Sequence, residues 1–202
     1  MKEWSERKSL DFLEKEGFYV VKRRFLRTKF GLRKALLKVC FPYVLKVSGK
    51  NVISGKDVSK LIFDLNTFSN SLRGFKDLIK IKGSDGVFVK KRVFGKEFFL
   101  TVKKDLEGKK FLSFGVVGVN DQNQKVIISK SFPVDKKKIK VLFKEAKISK
   151  MLSSSERKHL EEFILKICGF FKGNKKIFEI KVDSLVVSSE NPVVVNCKIF
   201  VG

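Results

Sequence analysis

Apolar positions along this chain switch between a helical spacing of three to four residues and a strand spacing of two, and each switch marks an element. Ser5 followed by Leu10, Leu13 and Gly17 reads as a capped helix with one apolar stripe. Phe18 to Val21 then reads as a strand that runs into the basic cluster Lys22-Arg23-Arg24. Leu32 to Val39 has helical spacing, and Phe41 to Val47 is a strand entered through Pro42. Phe68, Leu72, Phe75, Leu78 and Ile79 line one face of a helix over Thr67–Ile81. The run Gly83-Ser84-Asp85-Gly86 breaks the pattern and marks a hinge between two lobes, 1–84 and 85–202. Strands follow over Gly86–Val93 and Glu97–Lys104, then a helix from Asp135 whose first turn is Lys136-Lys137-Lys138. Cations are unfavourable there, because the N-terminal end of a helix is its positive end. Ser153-x-x-Glu156 is a capping box for a last helix, with Leu160, Phe163, Ile164, Ile167, Phe170 and Phe171 as its stripe and Gly173 at its end.

The final stretch, Lys176 to Val201, is two arms rich in β-branched and aromatic residues joined by Ser188-Ser189-Glu190-Asn191, the pattern of a β-hairpin. Glu179, Lys181 and Asp183 share one face of the first arm, since strand side chains alternate. A short connection brings Asn196 of the second arm opposite Asp183. A carboxylate beside an amide oxygen is hard-oxygen chemistry, suited to Mg²⁺ and a phosphate. A merely solvated polar face has the same pattern, so alternation alone leaves both open.

Charge narrows the partners. The 202 residues hold 45 Lys and Arg against 21 Asp and Glu, a net charge of +24. Such a field draws polyanions, among them nucleotide, CoA, RNA and the ribosome. A gene rich in A and T favours Lys, Phe, Ile and Asn codons and is a competing origin for the charge. The apolar runs are too short to cross a bilayer, and the opening residues lack the apolar core of a secretion signal. Cys40, Cys168 and Cys197 lie far apart in apolar runs, without metal-ligand spacing, and read as reduced core residues of a cytoplasmic protein.

Several stretches, in order and in register, resemble the ATP-grasp (β) subunit of nucleoside-diphosphate-forming acyl-CoA synthetases, of the ADP-forming acetyl-CoA synthetase and succinyl-CoA synthetase β type. Phe41-Pro42-Tyr43-Val44-Leu45-Lys46-Val47 is similar to the family's Tyr-Pro-Val-Val-Leu-Lys-Val, and Gly86-Val87-Phe88-Val89-Lys90-Lys91 to its Gly-Val-Leu-Val-Gln-Lys. Glu97 to Asp105 matches its Glu-Val-Ile-Val-Gly strand, and Phe114, Gly115 and Gly118 match glycine-rich positions that follow. The final hairpin matches the arms that carry Glu-Leu-Asp-Ile-Asn-Pro-Leu and Val-Asp-Ala-Arg-Ile. The resemblance implies an α+β class and an ATP-grasp fold, with two α/β lobes, an antiparallel sheet in the C-terminal lobe and nucleotide between them. It implies that Lys46 contacts phosphate, that Val89 and Lys90 meet the adenine through the backbone, that Glu97 lines the cleft, and that Asp183 and Asn196 hold the Mg²⁺ of ATP or ADP. In the family a CoA-binding subunit is a separate chain or domain, so the resemblance also implies such a partner.

The departures concern chemistry. The family's His-Lys-Ser-Asp-Val-Gly-Gly reads Ser54-Gly55-Lys56-Asp57-Val58-Ser59-Lys60 here, so its phosphocarrier His is Ser54 and its glycine pair is Ser59-Lys60. Its catalytic-loop Glu, Asp and Arg fall on Gln122, Val126 and Lys130, and the Asp between its metal-arm positions has become Lys181. The only histidine, His159, lies on the last helix. Two functions follow as expectations: a protein that resembles an acid–CoA ligase and binds Mg-nucleotide with phosphoryl transfer weakened or lost, or a non-catalytic basic derivative on RNA or the ribosome.

Overall fold

The computed structural model describes residues 1–49, the backbone of 61–62, and residues 67–116 and 127–202. The chain forms two compact units, Val21–Val93 and Met1–Val20 with Phe94–Gly202. These bounds differ from 1–84 and 85–202 at both ends. Residues 1–20 stay with the larger unit because their helix packs on the final strand, and Gly86–Lys91 stays with the smaller because it is the middle of that sheet.

The smaller unit has a four-stranded sheet built from β2 (Arg23–Leu26), β3 (Tyr43–Ser48), β4 (Leu61–Ile62) and β5 (Gly86–Lys91), in the order β2-β5-β3-β4 and antiparallel throughout. One face is covered by α2 (Leu32–Val39) and α3 (Phe68–Ile79), both at the predicted places. Leu32, Ala35, Leu36 and Val39 of α2 and Phe75 and Leu78 of α3 pack on Tyr43, Leu45, Val47, Val87 and Val89. Each fully buried aliphatic or aromatic side chain of this kind stabilises the fold by about 1.5–3 kcal/mol. The Tyr43 and Ser71 hydroxyls bond at 2.8 Å inside the same layer.

The larger unit has a six-stranded sheet of order β1-β10-β9-β6-β7-β8, made from β1 (Lys2–Glu3), β6 (Lys96–Lys104), β7 (Lys110–Val116), β8 (Ile127–Ser131), β9 (Ile177–Val187) and β10 (Val193–Val201). On one face Phe98, Leu100, Val102, Ile180, Val182, Leu185, Val194 and Ile199 are buried against α1 (Glu6–Lys15), α4 (Lys136–Glu145) and α5 (Ser154–Gly173). Ser9, fully buried on α1, accepts from the Ile199 N–H at 3.1 Å and so locks α1 to β10. The α+β class and the predicted final hairpin are both present.

Three local readings change. Phe18–Val21 is not a strand: Gly17 turns the chain at φ 76°, the Phe18 ring packs on Phe163 and Phe170, and only Val20 bridges β10. Cys40 is exposed, not core, because it sits past the end of α2 at φ 66°. The lysine-led start of α4 is relieved by Asp135, whose carboxylate accepts from the Lys138 N–H at 2.7 Å. Lys138 Nζ turns back to the Ser131 and Pro133 carbonyls instead of facing the helix end.

Candidate functional site

In each unit the sheet face turned away from the helices collects the polar residues picked out in the sequence. In the smaller unit, cross-strand partners share a face, and Tyr43, Leu45, Val87 and Val89 face the helices. Val44 and Lys46 on β3, Phe88 and Lys90 on β5, and Arg23 and Phe25 on β2 therefore share the other face, through the pairs Lys46–Phe88, Val44–Lys90, Arg23–Lys90 and Phe25–Phe88. Three cations from three adjacent strands meet there. Lys90 is only 1% exposed, and its ammonium lies 5.1 Å from the Phe88 ring, a contact that offsets part of the cost of burying a charge. Arg23 went unnoticed in the sequence as one of a basic run, although its alternation with Phe25 was the available signal.

Val89 and Lys90 sit on a central strand paired to β2 on one side and β3 on the other. Their main-chain groups are enclosed by that pairing, and the Val89 side chain is in the core. What this strand can offer a ligand here is the Lys90 side chain.

In the larger unit, Glu179, Lys181 and Asp183 point away from the helices, as Ile180 and Val182 between them are buried. Glu97 is exposed on β6, paired across to Val186. Asn196 pairs with Ser184 rather than with Asp183. The cause is a bulge: Val182 pairs with Cys197 and Leu185 with Val194, so Asp183-Ser184 on β9 and Val195-Asn196 on β10 fall within a double irregularity. The same two residues of β9 stand opposite Phe99 alone on β6. Bulges re-aim side chains next to binding sites, and this one leaves Asp183 one position along β9 from the residue that Asn196 pairs with. Lys181 Nζ is 3.0 Å from Asp183 Oδ1. Below, burial first and then the Asp183 and Glu6 carboxylates push the Cys197 thiol up.

Among the described residues no group of three His, Cys, Asp or Glu could hold a metal by itself. Mg²⁺ commonly takes one or two carboxylates and completes its shell with water and substrate phosphate. Asp183 with Asn196 fits that kind of shared site, and Lys181 is a built-in competitor for the carboxylate. Lys130 is engaged with Glu145 at 2.7 Å. Ser54, Asp57, Ser59, Lys60, Gly118, Gln122 and Val126 lie outside the described residues.

This pair of antiparallel sheets, each with helices on one face, is the ATP-grasp fold. The ATP-grasp domain family model matches residues 2–201, and the chain belongs to that family. It is 24% identical over 203 residues to the ADP-forming acetate–CoA ligase II of Archaeoglobus fulgidus, covering 98% of this chain and 30% of that protein. Its structure is similar to that of the dinucleotide-forming acetyl-coenzyme A synthetase 1 of Ca. Korarchaeum cryptofilum in complex with coenzyme A, Ca-AMPCP and HgCl⁺, with a TM-score of 0.85, 17% identity and coverage of 100% and 94% of the two chains. A protein of Pyrococcus horikoshii, PH1788, gives a TM-score of 0.83 at 18% identity, covering 99% and 92%. At these identities the structural likeness is one of fold. No helix among the described residues is long and apolar enough to cross a membrane.

Proposed function

We propose that the chain is a nucleotide-binding ATP-grasp module of the ADP-forming acyl-CoA synthetase type, which binds Mg-nucleotide but has weakened or lost phosphoryl transfer. The observation that carries the reading is the polar content of the two helix-free sheet faces: Arg23, Lys46 and Lys90 on one, Asp183 and Asn196 at a bulge on the other. Lys46 and Lys90 neutralise phosphate charge, the main requirement of phosphoryl-group binding. Asp183 and Asn196 hold the Mg²⁺, which when bound screens the phosphate oxygens. Glu97 lines the nucleotide. Two structures of one solved relative support the ligand class, one by its Ca-AMPCP and the other by its Mg-AMPPCP, each with coenzyme A. The chain spans 30% of the length of the curated relative it matches, and a CoA-binding subunit or domain is the partner the full reaction requires. Ser54 in place of the phosphocarrier His removes the route by which phosphate would travel to it.

The test is calorimetric titration with ATP and ADP, with and without Mg²⁺, at salt high enough to suppress loose polyanion capture. One saturable, Mg²⁺-dependent site is expected. Asp183→Ala and Lys46→Ala weaken it about tenfold or more, as loss of a charge-assisted contact does. Lys181→Ala, which frees Asp183 of its internal cation, increases the gain from Mg²⁺. Binding indifferent to the metal and to both residues would leave the fold without this function.

A further inference from the structure

The positive charge is unevenly placed. Residues 21–93 hold 19 Lys and Arg against 4 Asp and Glu, a net +15 of the chain's +24, whereas the remaining residues hold 26 against 17. From Val21 to Lys50 there are ten basic residues and no acidic one. Codon bias acts along a whole gene and does not produce such a contrast between two units.

Part of this excess lies on the outer side of the helices, away from the sheet face described above. A 3-10 turn, Lys29–Gly31, runs straight into α2. The inward stripe of α2 is the buried set Leu32, Ala35, Leu36 and Val39. The outward stripe begins at Phe30, 87% exposed, and continues through Arg33 and Lys34 to Leu37, 73% exposed, and Lys38. Phe41, just past the helix, is 63% exposed, with its ring edge-on to Tyr43. Lys29 Nζ stands 5.9 Å from the Phe30 ring centre. Beside the 3-10 turn, α3 presents Phe68 at its start and a hollow of about 300 Å³ lined by Ser69, Leu72, Arg73, Lys76, Asp77 and Lys80, three cations to one carboxylate. The outward side of α2 is therefore basic, with Leu37 its one apolar residue, and an exposed ring lies just beyond each end of the helix.

We propose that this outer face of the smaller unit binds single-stranded nucleic acid, with Phe30 and Phe41 as stacking platforms for bases and Lys29, Arg33, Lys34 and Lys38 on the phosphates. Basic grooves with exposed aromatic rings bind single strands in this way, because every base has a π-face and every linkage a charge. Cores of protein–protein interfaces are depleted in Lys, which counts against a protein on so lysine-rich a face. A lipid surface would meet only two rings and one leucine.

The experiment is fluorescence anisotropy of the full chain with labelled 20-nucleotide oligouridylate and oligothymidylate over a NaCl series, and in parallel co-sedimentation with phosphatidylserine vesicles. Phe30→Ala/Phe41→Ala keeps the net charge. It is expected to weaken oligonucleotide binding about tenfold or more while leaving the salt slope as it was. Arg33→Glu/Lys34→Glu/Lys38→Glu is expected to lower the slope by about 2, since each single-strand phosphate contact contributes about 0.7. Circular dichroism and melting verify that both variants fold, as their side chains are exposed. Lys46→Ala should leave oligonucleotide affinity unchanged, so a failure of the nucleotide reading is separable from a failure of this one. Preference for oligouridylate or oligothymidylate names the natural strand. Equal binding by the double-Phe variant and the parent overturns the proposal in favour of charge capture alone. Loss of vesicle binding but not of oligonucleotide binding in that variant overturns it in favour of a membrane.

Discussion

Glu156 makes three interactions, two of them through its carboxylate. It accepts from the Ser153 N–H at 2.7 Å, its own N–H donates to Ser153 Oγ at 3.2 Å, and both carboxylate oxygens lie 2.8 Å from Lys96 Nζ. The box thus closes the start of α5 and ties it to the start of β6. The Lys96 hydrogen bond foremost, then the Ser153 N–H, hold its carboxyl below the usual carboxylate range against the opposing pull of burial. A carboxyl lowered on folding adds stability that is present above its unfolded pKa and is lost as pH falls through the folded one. Glu156→Gln keeps an acceptor for the Ser153 N–H but loses the charge, and is therefore expected to cost about 1 kcal/mol at pH 7, mostly from the pair with Lys96. The gap to the parent should close as urea melts are taken from pH 7 to below about pH 4, where an unfolded Glu is protonated. A gap that stays constant across that range would show that the charge is not what Glu156 contributes. The capping box itself was legible, because Ser-x-x-Glu before an apolar stripe has one geometric solution. Lys96 was not, since it lies sixty residues away and no local pattern pairs them.

At the scale of elements, the tight fit of β6 against β9 depends on the absence of a side chain at Gly95. A Cβ there would overlap the Val187 carbonyl oxygen and stand 2.9 Å from Val186 Cγ1. Gly95→Ala should cost about 1–3 kcal/mol, the range for forcing atoms into a packed site. Gly169, inside α5 and one turn before its end, has nothing within 4 Å of its would-be Cβ, so Gly169→Ala should instead stabilise by about 0.5–1 kcal/mol through helix propensity. Thermal melts of the two variants should move in opposite directions, and a common direction would contradict the packing described. Elements with a strong period were legible in the sequence: α2 and the hairpin arms fall where the spacing puts them. The face shared by Glu179, Lys181 and Asp183 was legible for the same reason. The bulge at Asp183-Ser184 was not, because an extra residue in a strand leaves composition and alternation almost unchanged while moving Asn196 from Asp183 to Ser184. Phe18 misled for a different reason: its β propensity is real, but Gly17 and the rings of α5 use it for packing.

At the scale of the whole molecule, the decisive quantity is where the charge sits. A net charge far from zero works against the compact state through self-repulsion, and +15 within residues 21–93 concentrates that repulsion in one unit. Salt screens it: the Debye length falls from about 20 Å in dilute buffer to below about 8 Å above physiological ionic strength. The larger unit has more acids to balance its bases and includes the ion pairs Lys96–Glu156, Lys130–Glu145 and Lys198–Glu3, which salt weakens. Raising NaCl from low to moderate concentration should therefore slow amide hydrogen exchange in β3 and β5 several-fold more than in β6 and β9. Phosphate or sulfate should do so at lower concentration than chloride, since multivalent anions neutralise clustered cations more effectively. Exchange that slows equally in both sheets would mean that the +15 of the smaller unit destabilises its sheet no more than the larger unit's charge does. Exchange that slows more in β6 and β9 would place the dominant repulsion in the larger unit, and the basic face of the smaller one would then need no bound anion for its stability.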